Sequence, residues 1–148
     1  MTVDRRLVAA VLASAALPFP VNARSAVRRK IIEPQAGSYA QAVEITGPSR
    51  FLLVGGRALE DATGHVPDDF PGQARLAWKN VEAKLAAGGM GLDDLVKVTM
   101  YLSDRRYRED NDKVRNEILG QRKPAATVII CGIYDEARLQ EIEAIAAA

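Results

Sequence analysis

Eight residues near the carboxyl end, Ala126 to Ile133, constrain this chain more than any other stretch. They read Ala-Thr-Val-Ile-Ile-Cys-Gly-Ile and carry no charge. As a strand, Thr127, Ile129, Cys131 and Ile133 point one way, and Val128 and Ile130 the other. Both faces are then apolar, and both have to be covered. The next segment, Leu139 to Ala146, alternates instead. Gln140, Ile142, Ala144 and Ala146 share one face; Leu139, Glu141, Glu143 and Ile145 share the other. Two carboxylates therefore stand two residues apart beside a nearly apolar strand. Either they form a solvated outer face or one of them lines a pocket, since carboxylates are seldom buried without a partner.

The rest of the chain supplies partners for these strands. With 148 residues, 48% hydrophobic and 26% charged, it is long and apolar enough for one domain with a real core. Short strands are expected at Arg29–Glu33, Ala40–Thr46 and Phe51–Val54, with Gly47-Pro48-Ser49 folding the second and third into a hairpin. Gly55-Gly56 ends the third strand, either as a simple bulge or as backbone that approaches something closely or adopts positive φ. Residues 57–71 have no period and read as a loop, with His65 in it. Ala74, Trp78, Val81 and Leu85 recur at spacings of 4, 3 and 4 and mark a helix over Gln73–Ala87, with Trp78 in its core stripe. Leu95 to Ser103 alternates, with Val96, Val98, Met100 and Leu102 toward the core and Lys97, Thr99, Tyr101 and Ser103 opposite. Ser103 or Asp104 can cap a second helix, Arg105–Leu119. Its stripe is Tyr107, Asn111, Val114 and Ile118. Asn111 is the odd member, either a structural amide with a hydrogen-bond partner or a pocket residue.

The predicted order is β-β-β-α-β-α-β-β, an α+β fold with about six strands in one mixed sheet and both helices on one face. The other face holds Thr99, Tyr101 and one side of the apolar strand. With no third helix to cover it, a second copy of the chain is the economical cover.

Composition narrows the chemistry. A single cysteine, Cys131, allows no internal disulfide, and one cysteine with one histidine, His65, cannot assemble a zinc-type ligand set. No cofactor or metal is expected. The first 23 residues differ from the rest: Arg5-Arg6, an apolar run Leu7–Leu17, then Val21-Asn22-Ala23. A basic start, a short apolar run and small residues at the end form the pattern of a secretory signal. An uncleaved N-terminal extension or a start codon placed too early are the other readings. The run is too short to anchor in a bilayer. A mature chain of 24–148, periplasmic or secreted, is therefore expected, with a cytoplasmic location as the alternative. Removing the leader leaves 18 of the 20 basic and 18 of the 19 acidic side chains, a net charge of zero. That balance is no footprint for a nucleic acid.

Three stretches, in order, carry a resemblance. They are Tyr39-Ala40-Gln41-Ala42-Val43, Gly91 to Leu102, and Lys123-Pro124-Ala125 followed by a β-run and Glu141-Ile142-Glu143-Ala144-Ile145-Ala146. Together they span nearly the whole of residues 31–146 and resemble the Rid superfamily, the YjgF or L-PSP group. The resemblance implies a chorismate-mutase-like fold and a homotrimer with small-molecule sites between subunits. It also implies hydrolysis of reactive enamines and imines, such as 2-aminoacrylate, to a carbonyl compound and ammonia.

The implied site maps residue by residue. Tyr39 matches the tyrosine of the family's Pro-Tyr-x-Gln, with Ser38 in place of the proline. Gly55 and Gly56 match its Ser-Gly, Asn111 an asparagine on the second helix, and Glu141 the pocket glutamate. A half-buried carboxylate can position water against carbon and shuttle a proton to nitrogen. Thr127 and Cys131 complete the candidate set of binding residues. One departure stands out. The deaminating members carry arginine in Pro-Ala-Arg-Ser/Thr, where its guanidinium can grip a substrate carboxylate. Here the run is Pro124-Ala125-Ala126-Thr127, and alanine cannot do this. Arg57, directly after the glycine pair, is the nearest replacement in sequence. The expectation is altered or reduced hydrolase activity; the alternative is a trimeric small-molecule binding protein without turnover.

Overall fold

The computed structural model describes residues 27–56 and 63–148; the expected leader and Arg57 lie outside the described residues. The elements are β1 (Arg28–Pro34), β2 (Ala40–Thr46), β3 (Phe51–Val54), α1 (Phe70–Ala87), β4 (Leu95–Leu102), α2 (Arg108–Leu119), β5 (Ala125–Ile130) and β6 (Gln140–Ala147). Their order is the expected one. They form a single mixed sheet, β1-β2-β5-β4-β6-β3. β5 runs parallel to β4 and β2, while β6 is antiparallel to β4 and β3.

The expected hairpin of β2 and β3 does not form. β2 pairs along its length with β1 and touches β5 at Ala40 opposite Ala125. β3 crosses to the far edge and pairs with β6, Leu53 opposite Ile145 and Val54 opposite Ala144. The turn between them is anchored at the chain end, where the N–H groups of Ser49 and Arg50 donate to the Ala148 carbonyl at 2.8 and 3.0 Å. A turn signal says that the chain bends; it does not say which strand edge is still open.

Both helices cover one face. Ala74, Trp78, Val81 and Leu85 of α1 are buried together with Val114 and Leu119 of α2 against Val98, Met100, Leu102, Ile142, Ala144 and Ala146. α1 starts three residues before the expected position. Asp69 caps it by accepting from the Gly72 N–H at 3.2 Å, with Pro71 in the first turn. Gln73 is a buried tie, donating to the carbonyls of Pro67 (2.9 Å) and Ala137 (3.0 Å) and accepting from the Leu139 N–H (2.9 Å). A second correction falls on β4. Its pairing with β6 slips by one residue between Leu95 and Lys97. This bulge brings Leu95 into the main core cluster, while Val96, also buried, lies outside that cluster. The first turn of the second helix is a tight 3₁₀ turn at Arg105–Tyr107, capped by Asp104 accepting from the Arg106 N–H at 2.9 Å. Tyr107 stacks on Phe70 with ring centroids 4.6 Å apart.

β5 ends at Ile130, three residues short of the expected Ile133. Val128, Ile129 and Ile130 are all exposed, so one chain covers neither face of this strand. The face away from the helices also exposes Phe51 (58%), Leu53 (74%) and Ile145.

Candidate functional site

The candidate residues fall on two separate surfaces. The first is a groove of about 520 Å³ between β5 and the start of α2. Its floor is Ala126, Val128 and Ile130, the side of β5 that continues the core-facing residues Val98, Met100 and Leu102 of β4. Its wall is Arg105, Arg108, Asp112 and Arg115, and Tyr39 closes one end. The β1–β2 connection holds Tyr39 there. Ser38 N–H donates to Asn116 Oδ1 at 2.8 Å, and Lys123 Nζ donates to the carbonyls of Gln35 and Gly37. Gly37 lets this loop lie close: a Cβ there would sit 3.2 Å from both Arg115 Nη2 and Asn116 Oδ1. The Arg115 guanidinium lies 5.1 Å from the centre of the Tyr39 ring and donates to Asp112 Oδ1 at 2.8 Å.

The second surface belongs to β6 and the end of β3. Glu141 pairs with Tyr101 and Glu143 with Thr99 on the face away from the helices. Gly55 and Gly56 run past β6 at Glu141. A Cβ on Gly56 would lie 3.5 Å from the Ile142 carbonyl and 3.6 Å from Glu141 Cβ, while one on Gly55 would meet nothing within 4 Å. Neither glycine has positive φ. Of the readings open for this pair, close approach applies to Gly56 beside Glu141, and Gly55 leaves bare backbone in open space. Beside them is a hollow of about 360 Å³ bordered by Leu53, Gly55, Lys97, Thr99, Glu143 and Ile145.

Charge on this face is coupled. Tyr101 Oη donates to Glu143 Oε1 at 3.0 Å. That bond, then burial and the nearby negative charge, raises the Tyr101 pKa above its ordinary value. Lys97 Nζ donates to Thr127 Oγ1. Burial lowers the Lys97 pKa, opposed by the charge of Glu143. Thr127 therefore lies on this face, beside Lys97, not with Ala126 in the groove. Cys131 follows just beyond β5, its N–H bonded to the Leu102 carbonyl at 3.0 Å.

Asn111 joins neither surface. It is buried in the interior, where its Oδ1 accepts from Gln140 Nε2 at 2.9 Å. It is the partnered structural amide of the two readings left open, although its Nδ2 and Gln140 Oε1 have no partner among the described residues. The structure thus brings together Tyr39 with Ala126, and Gly55 and Gly56 with Glu141. The four polar wall residues were missed in the sequence. Their signal is there: 105, 108, 112 and 115 recur at spacings of 3, 4 and 3, a stripe beside the apolar one.

Comparison with known proteins places this arrangement. Residues 31–148 match the family model described as Endoribonuclease L-PSP. A RutC family protein of Pyrococcus horikoshii is 35% identical over 112 residues, covering 74% of this chain and 86% of the relative. A protein of Escherichia coli named for a reactive intermediate deaminase, TdcF, is 35% identical over 81 residues, covering 51% of this chain and 61% of the relative. In solved structures, a Rid family protein of Yersinia pestis superposes with a TM-score of 0.70 at 20% identity, over 81% of this chain and 98% of that one. E. coli TdcF with bound serine superposes at 0.62 with 27% identity, over 80% and 98%. With the family model spanning both helices and all of the sheet but the first three residues of β1, this chain belongs to the Rid superfamily, the L-PSP family, and has its chorismate-mutase-like α+β fold.

Proposed function

We propose that this chain hydrolyses reactive enamines or imines to a carbonyl compound and ammonia, in a homotrimer whose sites lie between subunits. The observation that carries the reading is the division of the candidate residues. Ala126 faces the helix-side groove with Tyr39, whereas Glu141 belongs to the opposite face, beside Gly56. One chain cannot turn both surfaces toward one small ligand. A neighbouring copy that sets the Glu141 face of its β6 over this groove can, and it also covers β5.

In such a site Glu141 takes a proton from water as the water oxygen bonds to the imine carbon. The C=N π electrons go to nitrogen, which receives a proton from the carboxyl group. The carbinolamine then collapses: the carboxylate carries its hydroxyl proton to the nitrogen, C=O forms, the C–N bond breaks and nitrogen departs as ammonia. Bare backbone at Gly55 leaves room and donors for the ligand. The similarity to TdcF supports the reaction class. The balanced charge of the chain does not favour a polyanionic substrate.

The test is ammonia release from imines generated in place by an amino-acid oxidase, with the wild type and Glu141→Gln. The wild type should exceed the uncatalysed rate and Glu141→Gln should fall to it. A wild-type rate equal to the uncatalysed one would end the hydrolase reading, and equal rates above it for both would remove Glu141 from the mechanism. The alanine at position 126 favours a second reading, a trimeric binding protein without turnover, in which ligands bind and no ammonia is released above background.

A further inference from the structure

The groove between α2 and β5 carries more positive charge than its surroundings need. Three guanidiniums line it against one carboxylate, and that carboxylate, on Asp112, is already engaged by Arg115 at 2.8 Å. Arg115 is only 5% exposed and its Nε has no partner. A buried guanidinium with an unmet donor is costly unless an acceptor arrives. Arg105 and Arg108 are exposed and make no side-chain hydrogen bond or ion pair with a described residue. Across from this wall the floor is hydrocarbon: Val128 is 37% and Ile130 46% exposed. The volume of about 520 Å³ suits a small organic molecule and far exceeds what an inorganic anion fills.

We propose that this groove binds apolar carboxylic acids, with the carboxylate on the arginine wall of α2 and the hydrocarbon body on Val128 and Ile130. The wall then supplies the grip that Ala126 lacks. Guanidiniums hold carboxylates through paired charge-assisted hydrogen bonds. The inference rests on the groove being one half of the site described above. It names the substrate class: imines of amino acids with bulky apolar side chains, whose hydrolysis yields 2-oxo acids with the same side chains. Alanine at the floor leaves room for that bulk.

Binding tests it without turnover. The full chain is titrated calorimetrically with 4-methyl-2-oxopentanoate, with its methyl ester and with inorganic phosphate. The wild type should bind the acid at least about tenfold more tightly than the ester or phosphate, and Arg105→Gln/Arg108→Gln should lose about tenfold for the acid while leaving the ester unchanged. Both arginines are exposed, so a circular-dichroism melt matching the wild type shows that the double variant is folded. Val128→Asn tests the floor independently, without adding charge, and should weaken the acid and the ester alike. Equal affinity for acid and ester, phosphate binding as tight as the acid, or a folded double variant with wild-type affinity would each overturn the proposal, as would no binding of the acid at millimolar concentration. A protein that binds the acid but releases no ammonia refutes only the hydrolase reading. One that releases ammonia without this preference refutes only the arginine wall.

Discussion

Ala126 offers no guanidinium to the groove that it lines. Ala126 opens onto the groove beside Val128, while Ala125 pairs with Lys97 on the other face. Ala126→Arg is therefore expected to raise 2-aminoacrylate hydrolysis, and Ala125→Arg to leave it unchanged. A charge-assisted grip is worth roughly 1.5–3 kcal/mol, which converts to about one to two orders of magnitude in rate. Steady-state ammonia release measures it, and adding Glu141→Gln should remove the gain. No gain in a folded Ala126→Arg variant would mean that the alanine does not limit the rate. A second residue-scale expectation concerns Tyr101. Its hydrogen bond to Glu143 raises the pKa, so the neutral phenol is the favoured form when folded. The stability it contributes is present below the ordinary tyrosine pKa of about 10 and is lost as pH rises through the folded value. In a phenolate absorbance titration of the four tyrosines, Glu143→Gln should move one of them to lower pH. An unchanged curve would show that the bond is not held in solution.

At the scale of elements, helix starts depend on single caps. The first turn of α1 relies on Asp69, whose carboxylate accepts from Gly72 N–H. Asp69→Ala is expected to cost about 1 kcal/mol, read as a lower urea midpoint at constant slope. A midpoint unchanged within error would mean that water replaces the cap. The helical stripes were readable because period 3.6 is local: Ala74, Trp78, Val81 and Leu85 are all buried, as their spacing predicts. The bulge at Leu95–Lys97 was not. Alternation is blind to an inserted residue, and the partner strand β6 lies more than forty residues away in the chain. Pairing of β3 with β6 instead of β2 escaped for a related reason, because edge availability is set by strands not yet reached in the sequence.

At the scale of the molecule, the face opposite the helices decides assembly. Phe51, Leu53, Ile129 and Ile145 are exposed there, and an apolar surface of this kind is rarely left to water. Sedimentation equilibrium at micromolar concentration is expected to report about three protomers, and Leu53→Glu to shift the protein toward monomer, because a carboxylate placed in a closed apolar contact is costly. A wild type that stays monomeric would contradict the intersubunit site as well. If Leu53→Glu assembles like the wild type, β3 lies outside the contact.

The sequence alone determined the element order, the two core stripes, the both-sided apolarity of β5 and the family resemblance carried by residues 39–43, 91–102, 123–125 and 141–146. All of these are local patterns, or short motifs kept in order. Only the tertiary structure decided that Glu141 and Ala126 are on opposite faces of the sheet, that Asn111 turns inward to Gln140, and that Arg105, Arg108 and Arg115 stand over Val128 and Ile130. Which face a residue presents depends on strand register, and what it meets there depends on segments distant in the chain. No local period encodes either of these.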